Sequence, residues 1–126
     1  MVEVDPARVL LVDDRRENRI ALQAVLEPLR VDIVEADSGE QALRVVLVHD
    51  FAVILLDVQM PGMDGMETAE LIKARERSRD VPIIQLTAKA MKGDRDKSIS
   101  AGASDYVTKP VDVEQLLSLM RVWLHR

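Results

Sequence analysis

Short apolar runs recur along the chain, and the stretches between them carry apolar residues at helical spacing. The runs are Val9-Leu10-Leu11-Val12, Val31 to Val34, Val53-Ile54-Leu55-Leu56, Pro82 to Leu86, and Tyr106-Val107. The first, third and fourth are nearly continuous in apolar character, which predicts strands buried on both faces of a parallel sheet. Between them, residues 16 to 29 place Leu22, Val25, Leu26 and Leu29 on one face of a helix. Ser38 and Gln41 stand in capping-box spacing and open a second helix that runs to Val48. Further helices are predicted at about 65 to 77, 92 to 101 and 113 to 125, the last opening at Asp112 with Gln115 three residues on.

A five-fold alternation of strand and helix predicts an α/β fold, a doubly wound parallel sheet with helices on both faces. Right-handed crossovers between parallel strands leave few other solutions, and the expected strand order is 2-1-3-4-5. No internal repeat or linker interrupts the pattern, so residues 1–126 are expected to form a single domain with its core at about 8–124. Ligands of such sheets bind beyond the carboxyl ends of the strands, where the winding reverses. At those ends the first strand delivers Asp13 and Asp14, the third Asp57, the fourth Thr87 and the fifth Lys109.

Three carboxylates gathered at one edge repel one another, and a single lysine cannot neutralise them. Hard oxygen ligands of this kind suit magnesium. A divalent ion, a lysine and a hydroxyl together supply what phosphoryl transfer needs, and a carboxylate can be the nucleophile. Taken singly, each residue has a plainer reading; Asp14, for instance, could simply cap the helix that follows it.

Composition narrows the field. The chain of 126 residues is 48% hydrophobic and 31% charged, with 17 Lys and Arg against 22 Asp and Glu, a net charge of -5 that gives nucleic acid no electrostatic foothold. Cysteine is absent, which excludes thiol chemistry, and His49 and His125 lie too far apart to form a local metal motif. They are expected at the surface, and Met60, Met63, Met66, Met91 and Met120 as core or loop filling. No stretch approaches the ~20 apolar residues needed to cross a bilayer. The polypeptide is therefore expected to be cytoplasmic and to make no direct membrane contact.

The segments Leu11-Val12-Asp13-Asp14, Asp57-Val58-Gln59-Met60-Pro61-Gly62-Met63-Asp64-Gly65, Leu86-Thr87-Ala88 and Lys109-Pro110 closely resemble the response-regulator receiver domains of two-component signalling, from about Arg8 to Leu124. The resemblance implies a flavodoxin-like sheet and a phosphoryl group accepted on Asp57. It implies Mg2+ bound by Asp14, Asp57 and the main-chain carbonyl of Gln59, with Asp13 acting mostly through a water, and Lys109 paired with the phosphoryl group. It also implies switch roles for Thr87 and Tyr106, and a Lys109–Pro110 bond that is commonly cis.

Residues 57–61 and 86–95 look more like receivers of hybrid sensor histidine kinases, which implies a histidine kinase or histidine phosphotransfer domain as partner and a membrane-anchored parent. A stand-alone response regulator is the alternative. On the first helix, Ile20 and Ala24 form an apolar spot among Arg16, Gln23 and Glu27, a candidate docking site for that partner. The final helix carries an apolar stripe wider than one buried face requires, enough for part of it to meet another subunit or domain. A phosphohydrolase of the haloacid-dehalogenase type would carry Asp two residues after the nucleophile, where this chain has Gln59. A flavin carrier would need a Ser/Thr-rich phosphate loop after the first strand.

Overall fold

The computed structural model describes residues 6–88 and 94–125. Their order is β1 (Arg8–Val12), α1 (Arg16–Leu26), β2 (Asp32–Ala36), α2 (Gly39–Val48), β3 (Val53–Asp57), α3 (Gly65–Lys73), β4 (Ile83–Thr87), α4 (Asp94–Ser100), β5 (Asp105–Thr108) and α5 (Val113–Leu124). All four strand pairings are parallel and the order is β2-β1-β3-β4-β5, as the alternation predicted.

The period of two divides each central strand between two cores. Val9, Leu11, Val53, Leu55, Ile84 and Leu86 face Leu22 and Leu26 of α1 and Leu116 and Met120 of α5. Leu10, Val12, Ile54, Leu56 and Ile83 face Ala42 and Val46 of α2 and Ala69 and Ile72 of α3. Every residue of β3 and β4 is buried, which explains why their sequences read as unbroken runs.

Three element boundaries differ most from the sequence reading, each for a local reason. The helix expected over 16 to 29 is α-helical only to Leu26 and then tightens into a 3-10 turn, Glu27–Leu29. Pro28 has no N–H to continue the ladder, and Arg30 closes the turn in the left-handed region at φ 53°. The strand expected over 31 to 34 extends instead from Asp32 to Ala36, because pairing with Arg8 through Val12 rather than burial sets the length of this edge strand. The helix expected to reach 77 stops at Lys73. The Ser78 hydroxyl donates to the Ile72 carbonyl at 2.6 Å, and Lys73 Nζ donates to the carbonyls of Arg79 and Val81, so side chains take over from the helical ladder. The predicted start of the fourth helix at 92, together with Met91, lies outside the described residues.

Caps form where the spacing placed them. Ser38 Oγ accepts from the Gln41 N–H, and Asp112 does the same for Gln115. On α5, Leu116, Leu117 and Met120 are buried, while Val113 and Val122 stay exposed at 45% and 61%. Among the described residues no helix is long and apolar enough to cross a membrane.

Ile54 lies at the centre of the sheet with no exposed surface and is flanked on both sides by buried strands. Ile54→Ala is expected to lower the unfolding free energy by about 2–5 kcal/mol, read from urea denaturation.

Candidate functional site at the carboxyl edge of the sheet

Parallel strands send all their carboxyl ends to one edge, so the groups predicted to converge are brought there by topology. Asp13 follows β1 and is 1% exposed. Its N–H extends the ladder to the Ala36 carbonyl at 3.1 Å, and its carbonyl accepts from Arg19 Nη1 at 2.7 Å. One carboxylate oxygen, Oδ1, accepts from the Arg15 N–H at 2.9 Å and lies 3.4 Å from Asn18 Nδ2. The other, Oδ2, is buried without a hydrogen bond; Lys109 Nζ lies 3.6 Å away.

Asp14 is exposed and does not cap α1. The N-cap position belongs to Arg15, which makes no side-chain cap bond, so the reading of Asp14 as a mere helix cap is set aside.

Asp57 ends β3 at 3% exposure, with Lys109 Nζ at 3.2 Å and the Gln59 N–H at 3.4 Å from its Oδ1. Burial pushes its carboxyl above the usual carboxylate range. The Lys109 charge opposes that rise, the Asp13 charge adds to it, and the bonds from Lys109 and Gln59 pull it down again. Thr87 ends β4, 3% exposed, and its carbonyl accepts from the Lys109 N–H at 2.7 Å, which ties the lysine's backbone to the next strand. Gln59 is exposed, and its side-chain Oε1 lies 3.4 Å from the Ala88 N–H, spanning the mouth between the β3 and β4 loops. Tyr106 is half-buried on β5, opposite Gln85. The Lys109–Pro110 bond is cis.

Asp13, Asp14 and Asp57 each offer a carboxylate oxygen within 4.8 Å of the others. Two of the three are almost wholly buried, one oxygen has no hydrogen-bond donor, and among the described residues only Lys109 pairs with their carboxylates. Such a donor set fits a hard divalent cation. The structure thus gathers Asp13, Asp14, Asp57, Thr87 and Lys109 at one edge with Gln59 on the rim. Ile20, 56% exposed, and Ala24, also exposed, lie apart from them on the outer face of α1.

Three contributors to the geometry escaped the sequence reading. Gly65 opens α3 directly against β3: a Cβ there would lie 2.2 Å from the Asp57 carbonyl oxygen and 2.6 Å from Val58 Cα, both backbone atoms that cannot yield. Gln85, fully buried, donates from Nε2 to the Gly65 carbonyl at 3.0 Å and holds that approach. Arg19 binds the Asp13 carbonyl and also Glu35 on β2. A glycine at the end of a strand-to-helix loop was a visible signal; the partners of Arg19 and Gln85 were not.

A doubly wound parallel sheet with an acidic cluster at its winding reversal is the class defined so far, and comparison with known proteins makes it specific. The family profile of the response regulator receiver domain matches residues 9–121. The chain belongs to that family and is a receiver domain of two-component signalling. It is 39% identical over 119 residues to sensor protein GacS of Pseudomonas syringae pv. syringae, covering 92% of this chain and 13% of that protein. It is 40% identical over 112 residues to the signal transduction histidine-protein kinase BarA of Shigella flexneri, covering 89% of this chain and 12% of the relative. The chain thus spans only about an eighth of the length of these curated relatives.

Among solved structures, the receiver domain of a sensor histidine kinase from Pseudomonas aeruginosa PAO1 superposes with a TM-score of 0.88 at 34% identity, covering 96% of this chain and 99% of that one. That structure has a magnesium ion coordinated in its active-site cleft. Chemotaxis protein CheY4 of Vibrio cholerae gives a TM-score of 0.88 at 28% identity over 94% of this chain and 99% of its own.

The raised carboxyl of Asp57 fixes the sign of a pH effect. With a folded pKa above the unfolded one, the native state binds the extra proton between the two values, so stability falls as pH rises through the folded pKa. In metal-free buffer, Asp57→Asn lacks that loss. Its melting temperature is expected to exceed that of wild type at pH 7, and the gap to close as pH falls toward 4. A gap that stays constant across that range would contradict the assignment.

Proposed function

We propose that the chain accepts a phosphoryl group from a phosphohistidine onto Asp57. The observation that carries the reading is the convergence of Asp13, Asp14, Asp57 and Lys109 on one spot, with Asp13 Oδ2 buried and lacking a donor. Asp13, Asp14, Asp57 and the Gln59 main-chain carbonyl would hold Mg2+, which when bound supplies neutralisation of the carboxylates and of the incoming phosphoryl oxygens.

The remaining roles fall to the chain's own groups. An Asp57 carboxylate oxygen attacks phosphorus in line, the P–O bond forms as the P–N bond of the phosphohistidine breaks, and the electron pair of that bond stays on the departing imidazole nitrogen. Lys109, already within 3.2 Å of Asp57 Oδ1, exchanges that contact for a phosphoryl oxygen and stabilises the spreading charge. Thr87, at the end of the neighbouring strand, donates its hydroxyl to another phosphoryl oxygen. Tyr106 lies on β5 opposite Gln85, two residues before Thr87, and its half-buried ring changes rotamer as Thr87 moves, biasing α4 and β5 between two arrangements.

The chain acts as a phosphorelay receiver rather than as an enzyme with a separate substrate, since Gln59 occupies the position where an aspartyl-phosphate hydrolase needs a second acid. We read residues 1–126 as one receiver domain, core about 8–124, working in the cytoplasm as part of a hybrid histidine kinase. Its partner is a histidine kinase or a histidine phosphotransfer domain, not nucleic acid or a membrane. The similarity to the sensor kinases GacS and BarA supports that choice, with a stand-alone response regulator as the alternative. The docking surface is the exposed face of α1 around Ile20 and Ala24. A groove of about 280 Å³ lined by Ala21, Val25, Pro110 and Val111 continues that apolar surface toward Lys109 and Asp13.

Incubation with acetyl phosphate and Mg2+ is expected to label wild type on Asp57, as read by mass spectrometry. Asp57→Asn and chelation with EDTA should each abolish the label, and Lys109→Met should slow it by on the order of 10²-fold. Undiminished labelling of Asp57→Asn would refute the assignment. Ile20→Glu is expected to slow transfer from a phosphorylated histidine phosphotransfer protein by about 10-fold or more while acetyl phosphate labelling is unchanged. Equal loss with both donors would point to a damaged fold rather than a damaged docking face.

A further inference from the structure

Arg19 stands outside the carboxylate cluster, in the second turn of α1, yet its guanidinium ends on the backbone of that cluster. Nη1 donates to the Asp13 carbonyl at 2.7 Å and Nε to Glu35 Oε1 on β2 at 2.9 Å. The arginine side chain is 14% exposed and that of Glu35 44%, so the fork is largely withdrawn from water while its anchor stays at the rim. Asp13 is thereby gripped on every side but one. Its N–H is bound by Ala36, its carbonyl by Arg19 and its Oδ1 by the Arg15 N–H, which leaves Oδ2 directed at Lys109.

We infer that Arg19, oriented by Glu35, is a positioning residue that sets the Asp13–Asp14 corner for divalent-cation binding. The inference rests on the metal reading under Proposed function. Repulsion among Asp13, Asp14 and Asp57 favours turning the corner outward, and a charged donor on the Asp13 carbonyl resists that rotation. Magnesium demands near-octahedral geometry and loses its waters reluctantly, so a small displacement of its ligands costs affinity. Groups that orient metal ligands are typically worth 10- to 100-fold in binding. Lysine cannot replace this arginine, because one ammonium point charge cannot hold the carbonyl and Glu35 in the fixed planar geometry of the fork.

The test is calorimetric titration of the unphosphorylated chain with MgCl2, alongside urea denaturation with and without Mg2+. Arg19→Met is expected to weaken Mg2+ binding by about 10-fold. Glu35→Ala, at an exposed edge position where folding is not at risk, should weaken it less, and Glu35→Gln, which still accepts from Nε, should restore affinity close to wild type. A purely structural role would shift the urea midpoint equally with and without Mg2+ and leave the dissociation constant alone. That result, or wild-type affinity in both Arg19→Met and Glu35→Ala, overturns the inference. Failure of the wild type itself to bind Mg2+ would overturn the metal reading and this inference with it.

Discussion

Two aspartates withdrawn from water, sharing one lysine, set the terms for the rest of this molecule. Asp13 and Asp57 are 1% and 3% exposed, and Lys109 reaches both, at 3.6 and 3.2 Å. Burying a carboxylate without matched partners is costly, and the raised pKa of Asp57 registers that cost. The fold tolerates the arrangement because the strands that carry it are hydrogen-bonded up to the edge. β1, β3 and β4 keep their ladders up to the edge, Val58 N–H continues to the Leu86 carbonyl at 2.9 Å, and Gly65 N–H returns to the Val58 carbonyl at 2.8 Å. Charge is concentrated where hydrogen-bonded strands end, and that framework keeps the carboxylates from drifting apart.

The two sides of the sheet are not equally apolar. Beneath α1 and α5 the core is aliphatic, apart from Trp123 at its margin. On the opposite side, β4 turns Gln85 and Thr87 in the same direction as Ile83, and α4 buries Ser98. Gln85 Oε1 and Ser98 Oγ are buried without hydrogen bonds. Polar groups in such positions forgo part of the packing energy that aliphatic residues would contribute. Asp13 Oδ2, at the β1 corner, is likewise buried without a hydrogen bond, so such atoms flank the site from both β1 and β4.

The apolar stripes, the caps at Ser38 and Asp112, and the strand order were legible in the sequence because each is set by neighbours in the chain or by the handedness of short crossovers. The convergence of Asp13, Asp14, Asp57, Thr87 and Lys109 followed from the same logic, since a parallel sheet leaves the ends of its strands no other edge to occupy. Tertiary structure decided what no periodicity encodes. Pairing with β1, not hydrophobicity, set the extent of β2; side chains of Lys73 and Ser78 ended α3; Asp14 stayed clear of the cap that its position suggested. Arg19 meets Glu35 across sixteen positions of sequence, and Gln85 meets Gly65 across twenty. Contacts of that range depend on register and packing between elements, which are settled only when the helices close onto the sheet.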